Sequence, residues 1–114
     1  TKAEVGEIMD STLQSWLTQP IRWEPFVGQT GRGVPTYGAP VDLLGFIEGS
    51  QQMVRSRTGE ERVTSWILYF ADPRVATMTE KDRLTLPSGE EPPIIRISPV
   101  MDEKGNVDHY EVYL

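Results

Sequence analysis

Apolar residues recur every three or four positions in the first stretch of the chain and every second position in most of the remainder. Val5, Ile8, Met9, Thr12, Leu13, Trp16 and Leu17 fall on one face of a helix expected from Lys2 to Thr18. Pro20 ends it, because it has no amide hydrogen to give the preceding turn. Ile21 to Val27 alternates, with Ile21 and Trp23 on one face and Phe26 near its end. That predicts a strand, which Pro25 confines to an edge or a bulge. Gly28 to Pro40, with four Gly and two Pro, predicts a loop without regular structure.

The centre reads as one long hairpin. Val41, Leu43, Gly45 and Ile47 alternate against Leu44 and Phe46, and Val63, Ser65, Ile67 and Tyr69 alternate against Thr64, Trp66, Leu68 and Phe70. The second strand is apolar on both faces beyond Ser65, which predicts a central strand or one covered by another subunit. Between them Gly49 to Glu60 is polar and predicts an arm tipped by Thr58-Gly59. Ala71 to Lys81 is a connector in which Thr77-Met78-Thr79-Glu80 has capping-box spacing and predicts a single helical turn. Arg83 to Leu86, Ile94 to Val100 and His109 to Leu114 predict three closing strands, separated by turns at Pro87 to Pro93 and Met101 to Asp108.

The expected architecture is mainly β: a small barrel or sandwich of six or seven short strands over 20–114, preceded by an amphipathic helix over 1–19. The 114 residues suffice for one core. With 38% hydrophobic and 25% charged residues the composition is that of a folded chain with polar loops. The net charge of −6 argues against a dedicated nucleic-acid binder, which gains affinity by neutralising phosphates with clustered cations. Zero cysteines exclude disulfides, thiolate chemistry and Cys zinc sites. No apolar run is long enough to span a membrane and Thr1 to Glu4 lacks a signal-peptide core, so the expectation is a soluble intracellular chain.

Candidate chemistry is sparse. His109 is the only histidine and has no second histidine or cysteine with which to hold zinc, so it reads as a surface or rim residue. Glu60-Glu61 and Glu90-Glu91 sit in predicted turns, where solvated charge is the default reading against a two-carboxylate hydrolase. Gly28 to Gly33 lacks the Gly-Lys-Ser/Thr ending of a phosphate loop. Arg55, Arg57 and Arg62 form the one basic cluster, either a solvated loop balanced by Glu60 and Glu61 or an arm reaching an anionic surface. Trp16, Trp23 and Trp66 read as core or interface residues, since no basic groove accompanies them as it does where bases stack. No catalytic site, cofactor site or metal site is expected.

The ordered set Trp23-Glu24-Pro25-Phe26, Gly38-Ala39-Pro40-Val41, Val63 to Tyr69, Asp82-Arg83-Leu84-Thr85-Leu86-Pro87-Ser88-Gly89, Pro92-Pro93-Ile94-Ile95 and His109 to Leu114 resembles the head-closure proteins of long-tailed bacteriophages. These are also called head-completion, head-tail joining or stopper proteins. The resemblance covers residues 21–114, and its Asp-Arg-Leu-Thr-Leu-Pro-x-Gly segment is the most specific part. It implies a β-barrel that assembles as a homo-oligomeric ring, of six subunits or alternatively twelve, in the virion neck. Such a ring assembles in the host cytoplasm, sits below the portal and its adaptor and above the tail terminator or tail tube, and closes the DNA-filled head. It also implies that the segment matching 49–60 gates DNA in the channel, with Gln51, Gln52, Met53, Arg55 and Arg57 at the constriction. Trp16, Leu17 and Trp23 are candidate contacts to a neighbouring subunit or neck protein. The alternatives are another neck ring, an adaptor or a terminator, and, from different classes, a monomeric β-barrel binding module or a small hydrolase.

Overall fold

The structure, a computed structural model, describes residues 15–114. Strand β1 (Gln19–Glu24) is followed by β2 (Phe26–Gln29), β3 (Pro35–Tyr37), the long β4 (Val41–Arg55), β5 (Glu61–Phe70), a 3-10 turn (Pro73–Thr77), β6 (Arg83–Thr85), β7 (Arg96–Met101) and β8 (Val107–Tyr113). Six of these form one antiparallel sheet in the order β6-β1-β4-β5-β8-β7, and β2 and β3 pair as a separate ribbon. The chain is therefore mainly β, as its alternation predicts, but the barrel is not closed: β6 and β7 remain opposite edges.

The register explains which side chains enter the core. Ile21 faces Leu43 across β1 and β4, Ile47 faces Leu68, and Leu68 faces Val112 on β8. Side chains directly opposite on antiparallel strands share a face, so these stack into one apolar layer with Trp23, Phe70, Tyr110 and Leu114. The connector crosses this layer and covers it with Val75 and Met78, and Leu84, Leu86 and Ile94 close its margin. Gly45 is glycine because a Cβ there would sit 2.9 Å from both Ile21 Cδ1 and Phe70 Cε1. The central position expected for β5 is observed: it lies between β4 and β8.

Several expectations change. The helix expected from Lys2 to Thr18 lies outside the described residues apart from its end, where Ser15 and Trp16 are helical. The strand expected over Ile21 to Val27 breaks at Pro25, which supplies no ladder donor, so Phe26 and Val27 belong to a second strand. The loop expected at Gly28 to Pro40 contains the β2–β3 ribbon, turned by Gly33 at φ 80 and joined by the Phe26–Tyr37 ring contact at 6.4 Å. The helical turn forms earlier than the Thr77 capping box: Asp72 caps it by accepting from the Arg74 amide, and Thr77 Oγ1 donates to the Arg74 carbonyl instead. Among the described residues no helix is long and apolar enough to cross a membrane.

Candidate functional site: the arm and the cleft beneath its tip

The segment 49–60 is mostly strand. β4 and β5 stay paired out to Arg55–Glu61, and the turn closes with the Ser56 amide donating to the Glu60 carbonyl (2.7 Å) and the Gly59 amide to the Ser56 carbonyl (2.9 Å). Gly59 takes φ 91, a conformation that disfavours any side chain. The register shifts between Gly49 and Gln52, where Ser50 and Gln51 together oppose Ser65. Such a bulge bends and twists the strand that carries it. On the partner strand the disturbed ladder is held by Leu114, whose carbonyl accepts from the Ser65 amide, the Trp66 amide and Thr64 Oγ1 at 2.7, 3.2 and 2.6 Å.

Beyond the bulge the two faces of the arm differ. Met53 and Val63 are cross-strand partners on the outer face, 65% and 60% exposed, while Val54 and Thr64 are buried on the inner one. All five residues expected at a constriction, Gln51, Gln52, Met53, Arg55 and Arg57, are exposed. Arg55 lies 3.5 Å from Glu61, and Arg62 lies 2.9 Å from Glu60. The basic cluster is therefore balanced by the two glutamates that the sequence places beside it, leaving Arg57 to reach Glu80 at 3.5 Å. That contact brings the arm tip back to the connector, so the arm does not stand free of its own domain.

Between tip and connector lies a cleft of about 850 Å³, floored by Trp23 and Phe26 and walled by Arg57, Thr58, Glu80 and Lys81. Asp82 organises it. Its buried carboxylate accepts from Trp23 Nε1 (2.9 Å), the Phe26 amide (2.8 Å), the Thr79 amide (2.9 Å) and Thr79 Oγ1 (3.0 Å). Charge-assisted bonds of this kind are the stronger ones, and they tie β1, the start of β2 and the connector at one point. The Lys81 ammonium rests 5.4 Å above the Phe26 ring. Beside the cleft, Arg83 forms two bonds to Glu24 and stacks 4.2 Å over Tyr37; the hydrogen bond from Arg83 holds the Glu24 carboxyl below its ordinary range.

On the opposite face of the sheet, rings run in sequence from Trp16 through Phe46 and Tyr69 to His109 at 5.7, 5.8 and 6.1 Å. The lone histidine is buried, which corrects its reading as a surface or rim residue. Its Nδ1 lies 2.8 Å from Asp108 and its Nε2 3.4 Å from Glu111, so both ring nitrogens face carboxylates and neither faces a nucleophile. The Tyr113 hydroxyl donates to Glu111 at 2.7 Å. Burial first, then that bond and the Glu111 charge, pushes its phenol up to about 12. Burial and the charges of Glu48 and Glu111 push the Tyr69 phenol up as well.

Of the residues expected at an interface, Trp16 is half exposed and Leu17 partly buried, whereas Trp23 is in the core. Trp23 is thus corrected from subunit contact to cleft floor, since its indole is spent on Asp82. Sequence reasoning missed the Asp82 clamp, although Asp82 opens the most specific run of the resemblance, and it missed the cleft that the clamp supports. Among the described residues no group of His, Asp and Glu side chains is placed to hold a metal ion. No protein-family model matches the chain, and no curated protein matches it.

Proposed function

We propose that the protein is a non-enzymatic neck component of a long-tailed bacteriophage, a ring subunit that closes the DNA-filled head and presents the surface on which a tail docks. The observation that carries this reading is the β4–β5 arm. It is a paired ladder rather than a slack loop, it runs past the bulge to a tip that meets the connector, and it carries Arg55 and Arg57 near its end. Arg55 and Arg57 are held only by exposed ion pairs at 3.5 Å. Exposed pairs of this kind are worth no more than about 1 kcal/mol, so a phosphate backbone competes for both side chains at little cost. The rest of the chain is acidic and repels DNA, as suits a channel through which DNA slides.

The experiment is native mass spectrometry and negative-stain imaging of the protein alone and with tail-less, DNA-filled heads. The expected result is a ring, six subunits before twelve, that forms alone or at the head vertex and stops DNA leakage. A chain that stays monomeric and ignores such heads overturns the reading. The cleft of about 850 Å³ favours a second reading, a monomeric binding module, because cavities of this size are typical of small-molecule sites. Saturable binding of a soluble ligand by a protein that ignores heads would establish it.

A further inference from the structure

We propose that the outer face of the six-stranded sheet is the docking surface for residues 1–14 of the same chain, with Lys2 at its His109 end. The inference rests on the fold and the sequence and is independent of the neck reading. Leu43, Leu68, Phe70, Tyr110 and Val112 belong to the core layer. Successive side chains of a strand point to opposite faces, so Phe46, Ile67, Tyr69 and His109 point the other way. An antiparallel sheet with one wet face carries polar residues there. This sheet carries an aromatic and apolar band instead, in which Phe46 lies across from Tyr69 and His109 across from Val100.

The point at which the chain enters the sheet selects the occupant. Ser15 and Trp16 are helical, and the Trp16 ring already rests 5.7 Å from Phe46, at one end of the row that continues through Tyr69 to His109. Gln19 Oε1 accepts from the Ile47 amide at 2.7 Å, which pins the entry to the same strand. A helix from Lys2 to Trp16 rises about 21 Å at 1.5 Å per residue, more than the three ring steps of 5.7, 5.8 and 6.1 Å laid end to end. Its apolar stripe of Val5, Met9 and Thr12 shares the face of Trp16. Lys2, about four turns before Trp16, falls on that face as well, whereas Glu7, Asp10 and Gln14 fall on the opposite one.

Charge agrees with this direction. His109 stands between Asp108 and Glu111, and Glu48 acts on the same Tyr69 ring. Against these three carboxylates stand Arg96, across from Tyr113, and at most the imidazole itself. The far end of the row is therefore negative on balance, and Lys2 is the one cation side chain of the segment. A second copy is the weaker occupant, because a segment tethered through Trp16 meets its site at an effective concentration of order millimolar.

The test uses the full chain, isotope-labelled for nuclear magnetic resonance. Methyl groups of Val5, Met9 and Leu13 are expected to show Overhauser contacts to the rings of Phe46, Tyr69 and His109, unchanged on dilution. A lone helix of this length is marginal in water, so amide protection reports docking: amides 5–13 are expected to exchange roughly tenfold or more slowly than in a free peptide of residues 1–14. Met9→Asp, in the middle of the stripe, is expected to abolish both signals, and Asp10→Asn on the opposite face to leave both; melting of each variant checks that the sheet stays folded. Absent contacts, or contacts that survive Met9→Asp, overturn the proposal. So do contacts that run between labelled and unlabelled chains in a mixture, which would assign this face to a neighbouring copy. None of these outcomes decides whether the protein binds heads, so the two readings fail separately.

Discussion

The two halves of the β4–β5 hairpin are made of the same two strands and obey different rules. Below the bulge, Leu43, Gly45, Leu68 and Phe70 are buried and fitted to each other; above it, Gln51, Met53, Arg55, Arg57 and Val63 are exposed and only Val54 and Thr64 are buried. The lower half is bound by volume and the upper half by hydrogen bonds and turn geometry. One continuous element therefore serves as a scaffold at one end and as an adaptable surface at the other, which places binding residues on a rigid base.

The largest break of that comparison is expected from Phe70→Ala, which empties a fully buried ring site and is expected to cost about 4 kcal/mol in chemical denaturation. Asp82→Ala is expected next. It strands the Trp23 indole and two amides in a buried place, with a loss of about 2 to 3 kcal/mol and a shift of tryptophan emission. A glycine pair tests how tightly the lower half is fitted, at its centre and where it meets the bulge. Gly45→Ala must push against Ile21, Phe70 and the Tyr69 carbonyl and is expected to cost about 1 to 3 kcal/mol. Gly49→Ala meets Trp66 only at 3.6 Å, an ordinary contact distance, and is expected to stay within about 0.5 kcal/mol.

Alkaline titration sharpens the contrast from the other face of the sheet. Tyr113 has its phenol raised from 10.0 to about 12, so its contribution to stability is complete below pH 10 and is lost as the pH rises through about 12. Denaturation followed from pH 9 to 12 is expected to show this decline and Tyr113→Phe to reduce it. The smallest effect belongs to the arm itself. Arg57→Ala removes one exposed ion pair and is expected to move stability by no more than about 0.5 kcal/mol, while weakening DNA retention in the head assay.

Most of the sheet was legible because period-two alternation survives wherever one face is covered: Ile21 and Trp23, Leu43 to Ile47, Leu68 and Phe70 all point as their spacing predicts. What was not legible lies where alternation changes phase or tertiary bonds intervene. Odd-numbered residues of β4 face the core up to Ile47, yet Val54 is buried and Met53 exposed, because the bulge shifts the pattern by one. Neither Ser50 nor Gln51 signals that shift in its own chemistry. The ribbon at Phe26 to Tyr37 was hidden by its glycines and prolines, of which Gly31 and Gly33 make the turn while Gly28 and Pro35 stand within the strands that Phe26 and Tyr37 close. Burial of His109 depends on strands from distant parts of the chain, and nothing in Asp108-His109-Tyr110 announces it. For the candidate site, the arm and its arginines were readable from polarity and position. The cleft was not, because it exists only where Asp82 joins segments 59 and 56 residues apart in sequence.

The bulge also makes the direction of the arm a matter of counting. Removing either Ser50 or Gln51 would leave one residue opposite Ser65 and keep Gln52 across from Thr64 and Val54 across from Arg62. Every packed side chain beyond it would keep its partner while the bend was relaxed. A single in-frame codon deletion is therefore a steering adjustment: it is expected to re-aim the tip without changing what the tip is made of.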